Sequence, residues 1–462
     1  MTAILDLLPG MQSALDSLAR RHDVPGASLA VLDGDVVVEM ATGVTSRSTG
    51  VPVTPGTLFQ IGSITKIYTT TLLLQLADEG LLDLDQPLTG YLPGFALAGQ
   101  AALDQLTPRH LVTHTSGMVG DYFADHGPDD DCVERYVACL KDFGPVHPPG
   151  LMYSYCNAGF TVAGSVIEQL TGGPFHQAFD ARLRQPLGLT GTSMVAEEML
   201  TFRYAAGHVR RPGNGHAEPV PKAFMLPRSS IAAGSRTSAT AADVLRFLRA
   251  HLDGGTGPDG TRVLSAENVR RMQQPGAAFP GTPGTSVGLG WGTTSWSGER
   301  VLHHNGGTVG QLAFLHALPD RPFAVCLLTN SDTGGRLWRD LGGWLFSRAA
   351  GVQVPGPPTP AAPAPALDLS RYTGTYERLS HRFEVELDGR ELVATLTMSS
   401  SRGDGDQVER LVLKPIDETR FVTIIDEYPQ VVAFLEADGE GRPGYLHFGG
   451  RAAPRTAAAA TR

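Results

Sequence analysis

The sequence feature that most constrains the fold is a Pro/Ala-rich segment at residues 355–366, Pro-Gly-Pro-Pro-Thr-Pro-Ala-Ala-Pro-Ala-Pro-Ala. Such a segment predicts an extended, semi-rigid connection and not part of a packed core. The chain has 462 residues, which is too long for one ordinary hydrophobic core. We therefore predict two domains, at residues 1–352 and 368–462, joined by a linker at residues 353–367.

The first of these regions mixes helices and strands. Asp33-Gly34 lies between two apolar runs, which predicts a β-hairpin, and a long helix follows from Ile64. Another helix is predicted at residues 235–252, and four strands and a final helix lie between residues 289 and 349. Because the elements do not alternate as βαβ units, the pattern predicts an α+β domain.

Beyond the linker, the apolar residues alternate with polar ones. Residues 383–387 and 392–398 flank an Asp-Gly pair, which predicts a hairpin. Further short strands are predicted near residues 408–414, 419–425, 431–436 and 444–448. Short strands at this spacing are typical of a small antiparallel β-barrel.

Composition excludes several functional classes. The net charge is −10 and no block of Lys or Arg is present, so nucleic-acid binding has no electrostatic support. No apolar run is long enough to span a membrane, and no basic segment precedes the short apolar run at the N-terminus, so we expect a cytoplasmic protein without membrane contact. The four cysteines are scattered, which favours free thiols in a reducing compartment.

Ser63 and Lys66 form a candidate nucleophile and base. The run Thr57–Ile61 is strand-like and helical spacing begins at Ile64, which places Ser63 in the first helical turn with Lys66 on the same face. A helix N-terminus favours negative charge, and a desolvated lysine can lose its proton and act as a base. The chain has only four lysines, so chance would place a serine three residues before one only about 0.2 times. A capping serine beside a solvated lysine is the alternative.

Tyr155 and Asn157 form a second candidate pair. A tyrosine hydroxyl near a lysine can relay protons to a leaving group, and an asparagine two residues on can donate to a substrate carbonyl. We favour Tyr155 over its rival Tyr153 because of its spacing to Asn157. The alternative is a packed aromatic residue beside a helix-capping asparagine.

A third candidate motif, His303-His304-Asn305-Gly306-Gly307-Thr308, is predicted to lie between two strands. Glycines at a strand edge, here Gly306 and Gly307, let a substrate backbone approach and expose N–H groups as oxyanion donors. Adjacent strand residues point to opposite faces, so only one of the two histidines can face a site. Metal binding is the rival interpretation, but no third ligand lies at a suitable spacing, and we predict neither a metal nor a cofactor.

Together, in this order and at these separations, the three motifs resemble those of the serine β-lactamases and penicillin-binding proteins. The class C-like branch, with its esterases and D-amino-acid peptidases, is the most similar. The sequence segments at residues 111–117 and 233–243 also resemble the family, and the resemblance covers roughly residues 10–350. The family fold implied for this region is an antiparallel sheet flanked by helices.

The resemblance also implies roles for individual residues. Ser63 would be the acylated nucleophile and Lys66 its base. Tyr155 would protonate the leaving group, and Asn157 would orient the substrate amide. The N–H groups of Ser63 and Gly307 would form the oxyanion hole.

His304 stands where many relatives carry lysine. Because a histidine is mostly neutral near pH 7, it does not offer a permanent charge to a substrate carboxylate, which argues against efficient β-lactam hydrolysis or D-Ala-D-Ala trimming. In this respect the chain is similar to the penicillin-binding-protein-type thioesterases (surugamide cyclase-like), which carry a histidine there and add a C-terminal lipocalin-like β-barrel.

That subgroup implies a stand-alone peptide cyclase. Ser63 would accept a nonribosomal peptidyl thioester from a phosphopantetheinylated carrier protein and release it by head-to-tail macrolactamisation. A D-stereospecific peptidase or esterase would use the same acyl-enzyme and is the main alternative. An acylated, non-catalytic sensor or scaffold is the second alternative.

Three further residues complete the sequence-based hypotheses. Gly234 would leave room for the D-side chain of the acyl residue, or is an ordinary turn glycine. Arg451, predicted just after the last barrel strand, would reach the cleft, or is a solvated arginine. His114 lies in the family-like segment at residues 111–117, and we assign it a structural role only.

Overall fold

The computed structural model describes residues 3–211, 215–220, 225–399, 406–425 and 427–456. Its α-helices, α1 to α11 in chain order, are Ala3–Arg21, Thr65–Asp78, Gln100–Gln105, Pro108–Val112, Cys132–Cys139, Asn157–Thr171, Phe175–Phe179, Ala196–Met199, Ala241–Leu252, Ala266–Met272 and Gly334–Ala350. Shorter helical turns lie at Gly62–Ile64, Leu88–Gly90, Leu140–Asp142, Asp180–Arg184, Arg228–Ala233 and Leu369–Tyr372.

The strands of the described residues form two large sheets and two small ones. In chain order, β1 to β21 are Gly26–Asp33, Val36–Gly43, Phe59–Gln60, Thr192–Ser193, His208–Arg210, Ala217–Pro219, Ser238–Ala239, Ala277–Ala278, Ser286–Val287, Gly292–Trp296, Glu299–Thr308, Gln311–Leu318, Phe323–Thr329, Gly374–Arg378, His381–Asp388, Glu391–Met398, Gln407–Pro415, Arg420–Ile425, Tyr428–Ala437, Pro443–Phe448 and Arg451–Pro454.

The first large sheet is antiparallel, with the order β2-β1-β13-β12-β11-β10-β9-β8. Alternate residues of β1 enter two cores: Leu29 and Val31 pack with α1 and α11, whereas Ala30 and Leu32 face the helical region that contains α2, α6 and α9. This alternation follows from the two-residue period of a strand. The predicted α+β architecture, a sheet flanked by helices, is confirmed.

Helix α2 lies at the centre of the helical region and is buried on all sides from Thr65 to Leu76. A helix that packs on every side has no solvent-facing polar side, so its polar residues, including Thr69, Thr70 and Thr71, are buried with the apolar ones and the helix is not amphipathic. The buried face includes Lys66, whose side chain has no solvent exposure. The helix therefore carries a lysine into the interior, where its charge is costly.

The second large sheet, β14 to β21, pairs each strand with the next in antiparallel fashion. A bridge between Tyr376 and Arg455 brings its first and last strands together, so the barrel is nearly closed. Aromatic side chains, including Phe383, Phe421 and Phe434, fill its interior. The predicted C-terminal barrel is confirmed, and it gains two strands that the sequence pattern did not predict, β14 and β21.

Two predicted elements have different boundaries. The helix predicted at residues 235–252 begins only at Ala241, because β7 occupies Ser238–Ala239 and the side chain of Thr240 caps the helix at the Asp243 N–H. The His-Gly motif was predicted between strands, but it lies within β11, paired along its length with β12. Strand pairing there overrides the turn tendency of two consecutive glycines.

The predicted domain boundaries stay predictions. No helix or strand lies between α11 and the turn at Leu369–Tyr372. Residues 400–405, 426 and 457–462, which belong to the predicted barrel domain, lie outside the described residues. All four cysteines are free thiols, as predicted. Within the described ranges, no helix has both the length and the apolar character that crossing a bilayer requires.

Candidate active site

Ser63 lies in the short turn Gly62–Ile64, which leads directly into α2. Gly62 adopts φ +52°, a left-handed conformation that glycine reaches without strain. This turn lifts Ser63 out of the fully buried helix, and its side chain is half-buried whereas its neighbours Gly62 and Ile64 are buried. The hydroxyl is thus held at a helix start with some access to solvent.

Lys66 Nζ makes three polar contacts. It lies 3.1 Å from Ser63 Oγ, 2.8 Å from Asn157 Oδ1 and 2.7 Å from the carbonyl oxygen of Ala233. An amide oxygen and a carbonyl oxygen can only accept, so two N–H bonds of Lys66 are committed to Asn157 and Ala233. When the amine is neutral, its lone pair is directed at Ser63 Oγ, which is the arrangement of a general base.

Burial holds the pKa of Lys66 well below its ordinary value. The positive charge of Arg451 lowers this pKa further, and the negative charge of Asp121 opposes it. The amine also lies 4.9 Å from the centre of the Tyr155 ring and 5.4 Å from that of Phe160. Burial and the charge of Arg451 therefore favour the neutral, basic form of Lys66, whereas Asp121 and the two ring faces favour its cation.

Tyr155 is hydrogen-bonded through its hydroxyl to Ser63. Burial raises its pKa to about 12, although the bond to Ser63 and the charge of Arg451 oppose the rise. The phenol is therefore protonated near neutral pH and can donate to a leaving group. Its rival Tyr153 is buried and packs against Phe279 at 5.2 Å between ring centres. The structure brings Tyr155, and not Tyr153, to Ser63.

His114 supports the tyrosine from behind. Its ring stacks on that of Tyr155 with centres 4.2 Å apart, and its Nδ1 accepts a hydrogen bond of 2.9 Å from the N–H of Cys156. Burial, and then the charge of Lys66, hold its pKa well below the ordinary value. His114 is thus a neutral residue that fixes the Tyr155 ring, in line with the structural role given to it from the sequence.

Asp121 joins the site, and sequence reasoning missed it. Its Oδ1 accepts from Asn157 Nδ2 at 3.1 Å and from Arg451 Nη2 at 2.9 Å, while Oδ2 lies 2.5 Å from Arg451 Nε. The guanidinium of Arg451 lies 4.8 Å from the centre of the Tyr155 ring. Arg451 is the first residue of β21, not a residue that follows the last strand, and this strand start brings it into the cleft.

Four glycines surround the backbone of the nucleophile. A Cβ on Gly306 would lie 3.1 Å from Ser63 N, and one on Gly62 would lie 2.6 Å from Gly307 N. The end of β11 therefore lies directly against the nucleophile turn, which places the N–H groups of Ser63 and Gly307 near each other. Gly234, at φ +106°, lies against the same turn, and a Cβ there would come 2.2 Å from the carbonyl oxygen of Gly62. Close backbone approach is the reason for this glycine, and the predicted room for a D-side chain stays a prediction.

His304 lies on the face of β11 that carries the site. Its Nδ1 is 2.7 Å from the carbonyl oxygen of Asn305, which can only accept, so Nδ1 carries the proton and Nε2 has a free lone pair. Burial, and then the charge of Lys66, lower its pKa to about 3. At neutral pH this residue is a hydrogen-bond acceptor and not a cation.

His303 points to the opposite face, as strand alternation predicts. Its ring stacks on that of His316, with centres 5.3 Å apart, and His316 in turn stacks on Trp338 of α11. In the described part of the chain, no group of three or more His, Cys, Asp or Glu residues could hold a metal ion.

This arrangement can perform acyl transfer. A buried amine is aimed at a half-exposed hydroxyl, a protonated phenol touches the same hydroxyl, and backbone N–H groups of the nucleophile turn and of β11 lie beside it. A nucleophile, a base, a general acid and oxyanion donors are the parts that a serine acyl-enzyme mechanism requires.

Comparison with known proteins agrees with this geometry. The family model described as "Beta-lactamase" matches residues 11–347. The chain belongs to the beta-lactamase family. The predicted resemblance to the serine β-lactamases and penicillin-binding proteins is thereby confirmed, and with it the β-lactamase-like fold of the first region.

Three relatives of this beta-lactamase family member are informative. Penicillin-binding protein 4 of Amycolatopsis lactamdurans is 42% identical over 371 residues, which cover 79% of the present chain and 97% of that protein. Crystal structures of SurE, alone and with D-Leu, match with TM-scores of 0.77 and 0.76 at 28% and 29% identity, over 97% of this chain and 99% of SurE. The D-amino acid amidase from Ochrobactrum anthropi SV3, complexed with D-phenylalanine, matches with a TM-score of 0.61 at 25% identity, over 75% and 98% of the two chains.

Proposed function

We propose that this chain is a stand-alone penicillin-binding-protein-type thioesterase. It takes a nonribosomal peptidyl chain from a phosphopantetheinylated carrier protein onto Ser63 and releases it as a head-to-tail macrolactam. The similarity to SurE, which is surugamide cyclase, supports the proposal because it takes in the barrel as well as the first region. The complex of SurE with D-Leu supports a D-configured residue at the acylated end of the peptide.

In the first half-reaction, the proton of Ser63 Oγ moves to Lys66 Nζ as the oxygen attacks the thioester carbon. The N–H groups of Ser63 and Gly307 stabilise the oxyanion that forms. When the carbon–sulfur bond breaks, the departing thiolate takes a proton from the Tyr155 hydroxyl. That proton is replaced by the one held on Lys66, which returns the base to its neutral form.

In the second half-reaction, the N-terminal amine of the same peptide attacks the acyl-serine. The amine loses one proton to the neutral Lys66, the ester bond to Ser63 Oγ breaks, and Ser63 Oγ regains a proton from the Tyr155 hydroxyl, which Lys66 then reprotonates. The Nε2 lone pair of His304 can accept a hydrogen bond from the attacking amine, an interaction that a lysine ammonium could not offer. An amine held near the ester reaches effective concentrations of about 10⁵ M or more and can outcompete water.

The observation that carries the proposal is the contact between the barrel and the catalytic tyrosine. The N–H of Tyr155 donates to the carbonyl oxygen of Gly450 at 2.8 Å, and the N–H of Ala452 donates to Ser154 Oγ at 3.1 Å. The turn into the last barrel strand is therefore built onto the active-site segment. A cover at this place can exclude water and fold a peptide back on itself, which cyclisation needs and simple hydrolysis does not.

The test is incubation of the protein with a linear peptidyl thioester that ends in a D-residue, followed by mass spectrometry. The proposal expects cyclic peptide and free thiol, with no product from Ser63→Ala. Linear acid as the only product would overturn the cyclase function and leave a hydrolase. A stable adduct on Ser63 without turnover would indicate a sensor. The matching thioester that ends in an L-residue is the control for stereoselectivity.

A D-stereospecific hydrolase is the second candidate. It is favoured by the similarity to the D-amino acid amidase, whose structure with D-phenylalanine covers 75% of this chain, and to Esterase EstB of Burkholderia gladioli, which is 28% identical over 376 residues. The first half-reaction would be identical and only the attacking group would differ. Water in place of the amine gives the linear acid in the experiment above.

A further inference from the structure

A cavity of about 650 Å³ opens beside the active site, between two segments that come from different parts of the fold. The segment Asp121–Ala124 forms one wall, and the barrel segments at residues 378–381 and 448–451 form the other. Arg378 and Arg451 also line a void of about 20 Å³ that reaches Tyr155. Because Asp121, Arg378 and Arg451 line both spaces, the cavity and the void beside the catalytic tyrosine are neighbours.

Arg378, the last residue of β14, points its guanidinium into this region. Its Nε and Nη1 atoms are buried and have no hydrogen-bond partner among the described residues. Burial, and then the charge of Arg451, lower its pKa to about 10, so the side chain is still charged at neutral pH. Buried N–H donors without a partner cost free energy, so each one in a native structure calls for an explanation, and an acceptor on a ligand supplies one.

The charges around Arg378 do not balance. Asp121 is the carboxylate that acts on it, but both oxygens of Asp121 are already engaged by Arg451 and Asn157. His381 and His447, which both experience the charge of Arg378, are neutral near pH 7, because burial and that charge lower their pKa values to about 4 and about 3. The cavity thus carries one uncompensated positive charge in a chain whose net charge is −10.

The lining also includes exposed apolar side chains. Phe123, from the first region, and Leu379, from the barrel, are large hydrophobic lining residues that are 45% exposed each. A ligand that suits both features has one anionic group to meet the guanidinium and an apolar part to cover these two side chains. A peptide with an acidic side chain beside an apolar one has this chemistry.

We propose that Arg378 binds a carboxylate side chain of the acyl peptide and so selects peptides that carry an acidic residue close to their acylated end. This inference rests on the proposed function, since it names a substrate class for the same site. Two parallel N–H bonds from a guanidinium to a carboxylate give both strength and geometric selectivity. A neutral glutamine at the same position would lose the charge-assisted part of that interaction.

The experiment uses pairs of peptidyl thioesters that end in the same D-residue. The two members of a pair differ only in carrying Glu or Gln at one position. That position is varied, from pair to pair, among those nearest the ester. Acylation of Ser63 is measured as kcat/KM in the wild-type protein, in Arg378→Met and in Arg378→Lys. Arg382→Met is the matched control, because Arg382 lies on the neighbouring strand, half-exposed and paired with Glu384.

We expect the wild-type protein to prefer Glu over Gln about tenfold or more at one position, as charge-assisted hydrogen bonds allow. Arg378→Met should abolish the preference by slowing the Glu peptide alone, Arg378→Lys should retain part of it, and Arg382→Met should leave it unchanged. Equal rates for Glu and Gln at every position in the wild-type protein, or a preference that survives in Arg378→Met, would overturn the inference.

Binding of the same peptides to Ser63→Ala separates this inference from the proposed function. A Glu peptide that binds Ser63→Ala about tenfold more tightly than its Gln partner, with the difference lost in Ser63→Ala/Arg378→Met, supports the carboxylate site even if no cyclic product forms. Equal affinities would exclude the site even if cyclisation is observed. The melting temperature of each variant shows whether it is folded.

Discussion

Asp121 and Arg451 lie 330 residues apart in the sequence and form an ion pair beside the catalytic tyrosine, with Arg451 Nη2 2.9 Å from Asp121 Oδ1. The same Oδ1 accepts from Asn157, whose own oxygen accepts from Lys66. The last barrel strand is thereby connected to the base through two side chains. Electrostatic control of Lys66 is shared between the two parts of the fold.

Breaking this pair should destabilise the protein more than removing both partners. Asp121→Asn leaves the charge of Arg451 without a partner in a partly buried place, which we expect to cost about 2–4 kcal/mol in the free energy of unfolding. Asp121→Asn/Arg451→Met should cost less than Asp121→Asn alone, because no charge is left unpaired. Denaturant unfolding measures all three. The exposed pair of Arg382 and Glu384 is the control, and breaking it should change the free energy of unfolding by less than about 1 kcal/mol. Additive effects of the substitutions at Asp121 and Arg451 would contradict the prediction.

Acylation should depend on pH through Lys66. Since only the neutral amine can accept the serine proton, the rate should fall as pH falls through the lowered pKa of Lys66, and it should fall again when Tyr155 loses its proton near its pKa of about 12. Arg451 lowers the pKa of Lys66 and Asp121 raises it. Arg451→Met should therefore move the acidic limb to higher pH, and Asp121→Asn should move it to lower pH.

The measurement is the rate of acylation by a chromogenic ester between pH 5 and the highest pH at which the protein is folded. The two variants act in opposite directions, so a general loss of activity cannot imitate the result. Shifts of the same sign in both variants would show that Lys66 is not the group that titrates.

The parts of the site that depend on local spacing could be predicted from the sequence. Ser63 and Lys66 share one helical face, and the alternation along β11 sends His304 and His303 to opposite sides, so their relative placement follows from the geometry of a single element. Tyr155 was distinguished from Tyr153 by its spacing to Asn157. The structure brings Ser63, Lys66, Tyr155, Asn157 and His304 together, and it places His303 and Tyr153 elsewhere.

The parts that depend on long-range packing could not be predicted. Asp121 lies in an irregular loop, and nothing near it in the sequence shows that a barrel residue 330 positions later will pair with it. The same holds for Arg378, whose place beside the site depends on how the barrel sits on the first region. The local signal was that Asp121 directly follows Gly120 in a loop. This pattern is too common to identify a site.

Gly234→Ala should damage the nucleophile turn. The added methyl group would come 2.2 Å from the carbonyl oxygen of Gly62, and φ +106° is a conformation that alanine rarely adopts. We expect a loss of about 2–4 kcal/mol in stability and at least a hundredfold loss in acylation rate. Gly172→Ala is the control, because Gly172 has φ +73° with no atom within 4 Å of the added group, so it tests backbone strain alone.

The expected result for Gly172→Ala is a cost of about 1–2 kcal/mol in stability with an unchanged acylation rate. If Gly234 serves instead to admit a D-side chain, Gly234→Ala would keep its melting temperature and change only the relative rates of thioesters that end in D- and L-residues. Thermal unfolding and the paired kinetics distinguish the two explanations.

Removal of the barrel should reduce cyclisation more than simple hydrolysis. Deleting the chain after residue 354 takes away Gly450, which accepts from the N–H of Tyr155, and Arg451, which lowers the pKa of Lys66. The cleft then admits water, and the amine of a bound peptide is no longer held near the ester. A small ester needs only Ser63, Lys66 and Tyr155, so its hydrolysis should fall less than the yield of cyclic peptide.

Because the truncated chain exposes surface that the barrel covers, Arg451→Met in the full chain is assayed in parallel, and it should shift the product ratio from cyclic peptide towards linear acid. Equal losses of cyclisation and hydrolysis in both variants would leave the barrel a stabilising role only.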